Sequence, residues 1–288
     1  MTHHGSSAIK RMIARWQTLW LRLFVLAVVV SLVLPPLPWL VDLPVKAALL
    51  LLAFVRPPRS ASPPVELGPP VRGRWVALNS PGTGTPSHGV RAYGQMYAVD
   101  LLQPSPDAPD SISWSPRTRA PGSYPCFGRP VLAMAAGTVV RVASWQRDHR
   151  SRDTWPSLLW MMTAEAFVRE LGGVSWILGN HVIVRHDDGT FAAYAHLRRR
   201  SAKVRTGDRV TAGQQLAEVG NSGNTSEPHL HVQLMDDPRP TAAAGIPMRW
   251  PDLAFEDEKD PRWSTGDPKP TALAGFPENG RLFDAGVR

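Results

Sequence analysis

Asn180-His-Val-Ile-Val-Arg-His186, Asp187-Asp-Gly189 and Thr190-Phe-Ala-Ala-Tyr-Ala-His196 read as strand, turn and strand. β-branched and aromatic residues fill both arms, and Asp-Gly between them favours a tight hairpin turn. The same grammar extends outward. Val131 to Val142 is two strands around a glycine turn, and Val204 to Val219 is another pair around Gly207 and Gly213. A further strand carries His229-Leu-His231. Strands this short, broken by Gly, Asp and Asn, predict an all-β core built as a small antiparallel sheet. One element departs from it. Pro156 to Leu171 reads as a helix, with Thr154 as its cap, Pro156 in its first turn and Gly172-Gly173 as its stop. Its apolar first half, Leu158-Leu-Trp-Met-Met162, is expected to pack across the open face of the sheet.

The 288 residues allow one or two domains and an ample core. A single cysteine, Cys126, excludes an intrachain disulfide and a multi-thiolate zinc site, so any metal must be held by histidine and carboxylate. Cys126 itself reads as a small buried loop residue. The basic pI does not indicate nucleic acid, because the charge is unevenly spread. Lys10, Arg11, Arg15, Arg22, Lys46 and Arg56 against Asp42 put +5 of the net +8 into residues 1–56. Basic residues crowding an apolar N-terminus belong to membrane topology rather than phosphate recognition.

Residues 1–55 are therefore expected to be a membrane anchor. Leu23 to Leu34 is nearly pure hydrocarbon and is halted by Pro35-Pro36; a second apolar run spans Ala47 to Val55. A bilayer core needs about 20 helical residues, which the first run reaches only by including Arg22. Lys10, Arg11 and Arg15 favour a cytoplasmic N-terminus. The second run either spans as well, forming a hairpin, or lies in the interface. Residues 56–72 carry proline pairs at 57/58, 63/64 and 69/70. They predict an extended stalk of roughly 50 Å, at ~3.1 Å per residue, holding a soluble domain clear of the bilayer. Beyond residue 240 the chain turns proline-rich, and 241–288 reads as an irregular tail without chemistry.

In Gly220-Asn-Ser-Gly-Asn-Thr-Ser-Glu-Pro-His-Leu-His-Val-Gln-Leu234, residues i and i+2 of a strand share a face, so His229 and His231 project together. Two imidazoles entered from such a loop suit a divalent metal, or one ligand with a working neighbour. The spacing does not say which of the two binds metal. Asp100 lies in Tyr97-Ala-Val-Asp-Leu-Leu, an apolar strand where an unpaired carboxylate would be costly.

Gly179-Asn-His-Val-Ile-Val, Tyr194-Ala-His196-Leu, Gly207-Asp-Arg-Val-Thr-Ala-Gly213-Gln, Val219-Gly-Asn-Ser-Gly-Asn and Pro228-His-Leu-His231 occur in that order. Together they resemble the LytM/lysostaphin-type zinc endopeptidases, peptidase family M23, which cut peptide cross-links of bacterial peptidoglycan. The likeness covers roughly residues 85–240. It implies a catalytic domain over 73–240, related to the duplicated hybrid motif, with a helical insertion at about 145–178. The family's zinc ligands are a His and an Asp near the domain start and the second His of His-x-His. Here these correspond to His88, Asp100 and His231, leaving His196 and His229 for catalysis. His88 is chosen largely by elimination, since His3 and His4 lie before the membrane segment. The family's His-x-x-x-Asp spacing is not kept, because Gly89 to Val99 intervene. The resemblance implies Zn²⁺ and a peptidoglycan peptide substrate; with the N-terminal segment in membrane lipid, the domain is expected on the extracytoplasmic side.

Such a ligand set leaves zinc a coordination position for water, whose pKa falls toward about 7, while nearby imidazoles move protons. A catalytically inactive binding or regulatory module of the same fold would be expected to have lost ligands or catalytic histidines, and all five are present. A carrier of hybrid-motif type is disfavoured. The turn Asn221-Ser-Gly-Asn224 has no lysine for a lipoyl group, and a phosphohistidine carrier would not need Asp100. His149, His181 and His186 match no role and read as structural or solvated.

Overall fold

A computed structural model describes residues 2–35, 37–105 and 112–286, with side chains from residue 7 onward. Pro36, part of the expected stop after the first apolar run, lies outside the described residues, as do the last two residues of the tail. The chain begins with three helices, α1 (Thr2–Arg15), α2 (Gln17–Val33) and α3 (Trp39–Ala53). Strands follow: β1 (Val65–Glu66), β2 (Gly73–Leu78), β3 (Val99–Leu102), β4 (Pro130–Leu132) and β5 (Gly137–Ala143). The insertion comprises α4 (Trp155–Trp160), a π-helical turn (Met161–Glu165), α5 (Ala166–Gly172) and α6 (Val174–Leu178). Then come β6 (Asn180–His186), β7 (Phe191–Leu197), β8 (Arg209–Val210), β9 (Gln215–Glu218) and β10 (Leu230–Met235). The chain closes with β11 (Gly245–Ile246), β12 (Met248–Arg249), β13 (Leu253–Lys259) and β14 (Arg281–Ala285).

Among the described residues, ten strands form one sheet in the order β13-β14-β2-β3-β10-β7-β6-β5-β8, with β11 on β10. All its pairings are antiparallel. The expected hairpin is its centre. β6 pairs with β7, and the turn closes with Gly189 N–H donating to the His186 carbonyl at 3.1 Å. Gly189 holds φ at +88°, which a side chain would disfavour.

Side-chain parity positions the site. On β10, Leu230, Val232 and Leu234 enter the main core, each adding about 1.5–3 kcal/mol by burial. His231, Gln233 and Met235 therefore face the opposite side. On β3, Val99 and Leu101 join the same core and Asp100 points away from it. The groove lies on the face that the polar set shares.

Three expectations give way. Residues 56–72 are not a free stalk. β1 pairs in parallel with β12, Gly68 donates to the Met134 carbonyl, and Leu67 and Val71 are buried in the main core. A proline-rich strand still has carbonyls and amides to pair between its prolines, and apolar side chains to bury. The 241–288 tail is not irregular throughout. β14 lies between β13 and β2 in the main sheet, with Phe283 fully buried, because Leu282 and Phe283 give it apolar side chains on both faces. The helix expected at Pro156–Leu171 forms, with Thr154 and Ser157 making a reciprocal capping box. It does not cover the sheet, however. No residue of α4, the π turn or α5 is buried, and α5 packs against α2 instead.

Among the described residues, no single helix is long and apolar enough to cross a membrane. Ser7–Arg15 and Gln17–Val33 pass that test only as a pair, bent by 57°.

Candidate metal centre

Three neighbouring strands and two loops bring the five side chains together. In the β3–β10 ladder Asp100 stands directly opposite His231, and His231 faces Ala195 of β7 on its other side. His231 Nδ1 lies 2.9 Å from Asp100 Oδ1. His88, on the loop after β2, brings Nε2 to 3.2 Å from both carboxylate oxygens. His88, Asp100 and His231 offer one ligand-type atom each, all within 4.8 Å of one another. His229 sits one residue before β10, with its Nε2 3.5 Å from Asp100 Oδ1. The His196 ring centroid is 4.8 Å from that of His229 and 5.7 Å from that of His231.

His196 reaches this face by breaking the alternation. Tyr194 and Leu197 both point into the main core, which simple alternation forbids for residues of opposite parity. A register shift between β6 and β7 and a left-handed φ of +58° at His196 turn its side chain over. Such backbone is uncommon for a residue with a side chain and clusters at functional sites.

Hydrogen bonds fix which ring nitrogen is free. Gln233 Nε2 donates to the Tyr93 carbonyl at 2.6 Å, so its Oε1 is left to accept from His231 Nε2 at 2.9 Å. Gln233 thereby commits His231 Nε2 as a donor, and Nδ1, which faces Asp100 and His88, is the atom that would ligate a metal. His196 Nδ1 donates to the Ser222 carbonyl at 2.9 Å, and His229 Nδ1 to the Glu227 carbonyl at 2.8 Å. Both therefore turn Nε2 lone pairs toward the groove. Asn79 Nδ2 donates to Asp100 Oδ2 at 2.8 Å and orients the carboxylate.

Burial alone would raise the Asp100 carboxyl, but His88, His229 and His231 around it hold it well below the ordinary carboxylate value. Burial, reinforced by the neighbouring His229 and His231, pushes His196 well below the usual imidazole value, so it is neutral. Glu227 is buried, which raises its carboxyl, while Arg262 counters this from 2.9 Å. Two imidazoles and one ionised carboxylate, with outer hydrogen bonds orienting them, fit the donor set of a catalytic zinc site.

The cluster floors a cleft of about 400 Å³. Arg56, Tyr93, Met161 and Glu170 stand in its walls, and nothing in the sequence assigned them to the site. Gln233 had a sequence signal, being two residues beyond His231 on one strand face; Asn79 had none. His149, His181 and His186 stay outside the cluster. The first two bond to backbone carbonyls of Arg150, Gly223 and Gly179, and His186 bonds to Thr190.

Residues 162–243 match the family model described as Peptidase family M23. The peptidoglycan DD-endopeptidases ShyC and ShyA of Vibrio cholerae are similar at 40% identity over 57 residues and 38% over 72, covering 20% and 24% of this chain. A lipoprotein NlpD/LppB homolog of Pseudomonas aeruginosa is 30% identical over 114 residues, 40% of this chain and 28% of the relative. The aligned stretches span only 13% of ShyC and 16% of ShyA. Among solved structures, the lysostaphin catalytic domain of Staphylococcus simulans aligns at 21% identity and a TM-score of 0.32, covering 54% of this chain and 80% of that one.

Proposed function

From the premise that the chain carries a peptidase family M23 domain, we propose that it is a membrane-anchored zinc endopeptidase that hydrolyses peptide bonds of bacterial peptidoglycan. The observation that carries this reading is the convergence of five side chains. Ligand-type atoms of His88, Asp100 and His231 lie within 4.8 Å of one another, and two further histidine rings adjoin them. Zinc bound there would polarise a scissile carbonyl and lower the pKa of a water. The protein's own groups do the rest. Neutral His196 has its Nε2 lone pair open to the cleft and takes a proton from the attacking water. His229, held through Nδ1 by the Glu227 carbonyl, carries a proton on Nε2 in its protonated form. From there it hydrogen-bonds the developing oxyanion or protonates the leaving amine. The cleft wall keeps both rings partly out of water, which strengthens these charge interactions. In this reading residues 1–55 are the anchor and the domain faces the wall, outside the cytoplasmic membrane.

The test combines metal analysis with digestion of purified peptidoglycan, fragments being identified by mass. His231→Ala and Asp100→Ala are expected to lose both bound zinc and cleavage. His196→Ala and His229→Ala are expected to keep zinc while cleavage falls by at least 100-fold, the scale of general acid–base catalysis. Full cleavage by metal-stripped protein would overturn the reading. Zinc lost from the His229 variant but kept by the His231 variant would reverse their roles.

A further inference from the structure

The N-terminal helices and the insertion together present a surface that water does not suit. α2 and α3 fold back on each other. Ser31 and Lys46 both bond Asp42 near the tip, and Arg56 Nη1 donates to Gln17 Oε1 at 3.0 Å at the base. The pair has no polar face. Leu32, Trp39 and Leu51 are 80%, 72% and 71% exposed. Of its three charges, Arg22 lies toward the base, and Asp42 and Lys46 are paired at 2.6 Å, the condition for burying charge in hydrocarbon. With 17 and 15 residues, the helices reach about 25 and 22 Å at ~1.5 Å per residue, short of a bilayer core of about 30 Å.

The insertion sits against the base of this hairpin. Arg22 Nε donates to the Leu171 carbonyl at 2.8 Å, and Gln17 Nε2 donates to the Tyr93 hydroxyl, which in turn bonds Glu170. Beside that junction the insertion leaves Leu159, Trp160, Met162 and Phe167 about half exposed or more. α1 does not extend away from the domain. Arg11 makes a two-pronged ion pair with Asp236, and Thr241 Oγ1 donates to the Arg15 carbonyl.

We propose that the α2–α3 hairpin enters the bilayer from the domain's own side and returns to it, and that the 155–172 insertion lies in the same lipid interface. Residues 2–15 and the catalytic cleft then occupy one side of the membrane. The partner is lipid. Apolar side chains all round the hairpin call for hydrocarbon, exposed tryptophan beside its base suits the headgroup boundary, and Arg15, Arg22, Arg56 and Arg59 near the base suit anionic headgroups. Arg11 thereby docks the domain rather than holding the N-terminus in the cytoplasm. The proposal rests on the membrane-anchored reading above, and its test separates the two.

Full-length Lys10→Cys and Ser62→Cys proteins would be expressed in cells and treated with a membrane-impermeant maleimide; native Cys126 is buried and its thiol is pushed up to about 12 by that burial, so it stays silent. The expectation is one shared side, with both positions labelled in intact spheroplasts. Both labelled only after lysis supports the hairpin while removing a wall substrate from reach. Ser62→Cys labelled with Lys10→Cys protected means a single crossing between them and overturns the hairpin, leaving the peptidase reading untouched; the reverse pattern overturns the hairpin and also removes a wall substrate from reach. A second arm reads the insertion. Leu159→Cys carrying an environment-sensitive dye, in full-length protein reconstituted in vesicles of zwitterionic and anionic phospholipid, should shift to the blue and be quenched by spin-labelled lipid. Asp188→Cys, in the turn at the far end of β6 from the insertion, should do neither. An unquenched Leu159 dye would overturn the shared lipid surface.

Discussion

At the scale of single residues, the cluster depends on which nitrogen of each imidazole is committed elsewhere. His231 is oriented by Gln233, whose amide is itself fixed by the Tyr93 carbonyl. Outer groups of this kind typically tune metal affinity by 10–100-fold. Gln233→Leu should therefore weaken zinc binding by roughly that factor in competition with a chelator, with the folded far-UV spectrum kept. An unchanged affinity would mean that Asp100 alone orients the ring. Alternation on β10 was legible in Pro228-His-Leu-His231, since residues two apart share a face. The same rule misleads at His196. It sends that ring to the core with Tyr194, and only the left-handed backbone at His196 brings it to the groove.

At the scale of elements, the turn before β6 makes the close backbone approach that aims the site. Gly179 has φ +65°, and a Cβ there would lie 2.3 Å from the Ser222 carbonyl oxygen, the acceptor that holds His196. Gly179→Ala should cost about 2–3 kcal/mol of stability and lower cleavage while zinc stays bound. Denaturant melts and metal content measure the two effects. β6 also carries a pH term. Burial lowers His181 from 6.5 to about 4, its Nδ1 donating to the Gly179 carbonyl while Nε2 has no partner. The unfolded chain accepts a proton below its ordinary value near 6.5, and the folded ring refuses it until about 4. Stability is thus full above pH 6.5 and is lost as pH falls through that window, by about 3 kcal/mol for this group. Urea titrations at pH 7 and pH 4 should show His181→Gln losing correspondingly less than the parent protein.

At the scale of the whole molecule, the ends of the chain belong to the fold around the site. β14 lies against β2, whose strand leads directly into Asn79 and pairs with the strand of Asp100. Arg262 pairs with Glu227, two residues before His229. Removing residues 241–288 strips Phe283 from the core and a partner from a buried carboxylate, a loss of several kcal/mol against a total stability of only about 5–15. The truncated chain should show no cooperative thermal transition by circular dichroism. A sharp melt near that of the full chain would show the last strands to be dispensable.

Local chemistry in the sequence determined the β core, the Asp-Gly hairpin, the capped helix after Thr154 and the pairing of His229 with His231, because turn residues, capping groups and period-two alternation act over a few positions. The order of the motifs along the chain suggested the family. Tertiary structure alone decided that His88 and Asp100 meet despite their unusual separation, that His196 turns over, and that the proline-rich segment and the C-terminal strands close onto the domain. Those outcomes depend on contacts between residues from a dozen to some two hundred positions apart, whose energy no short window of sequence contains.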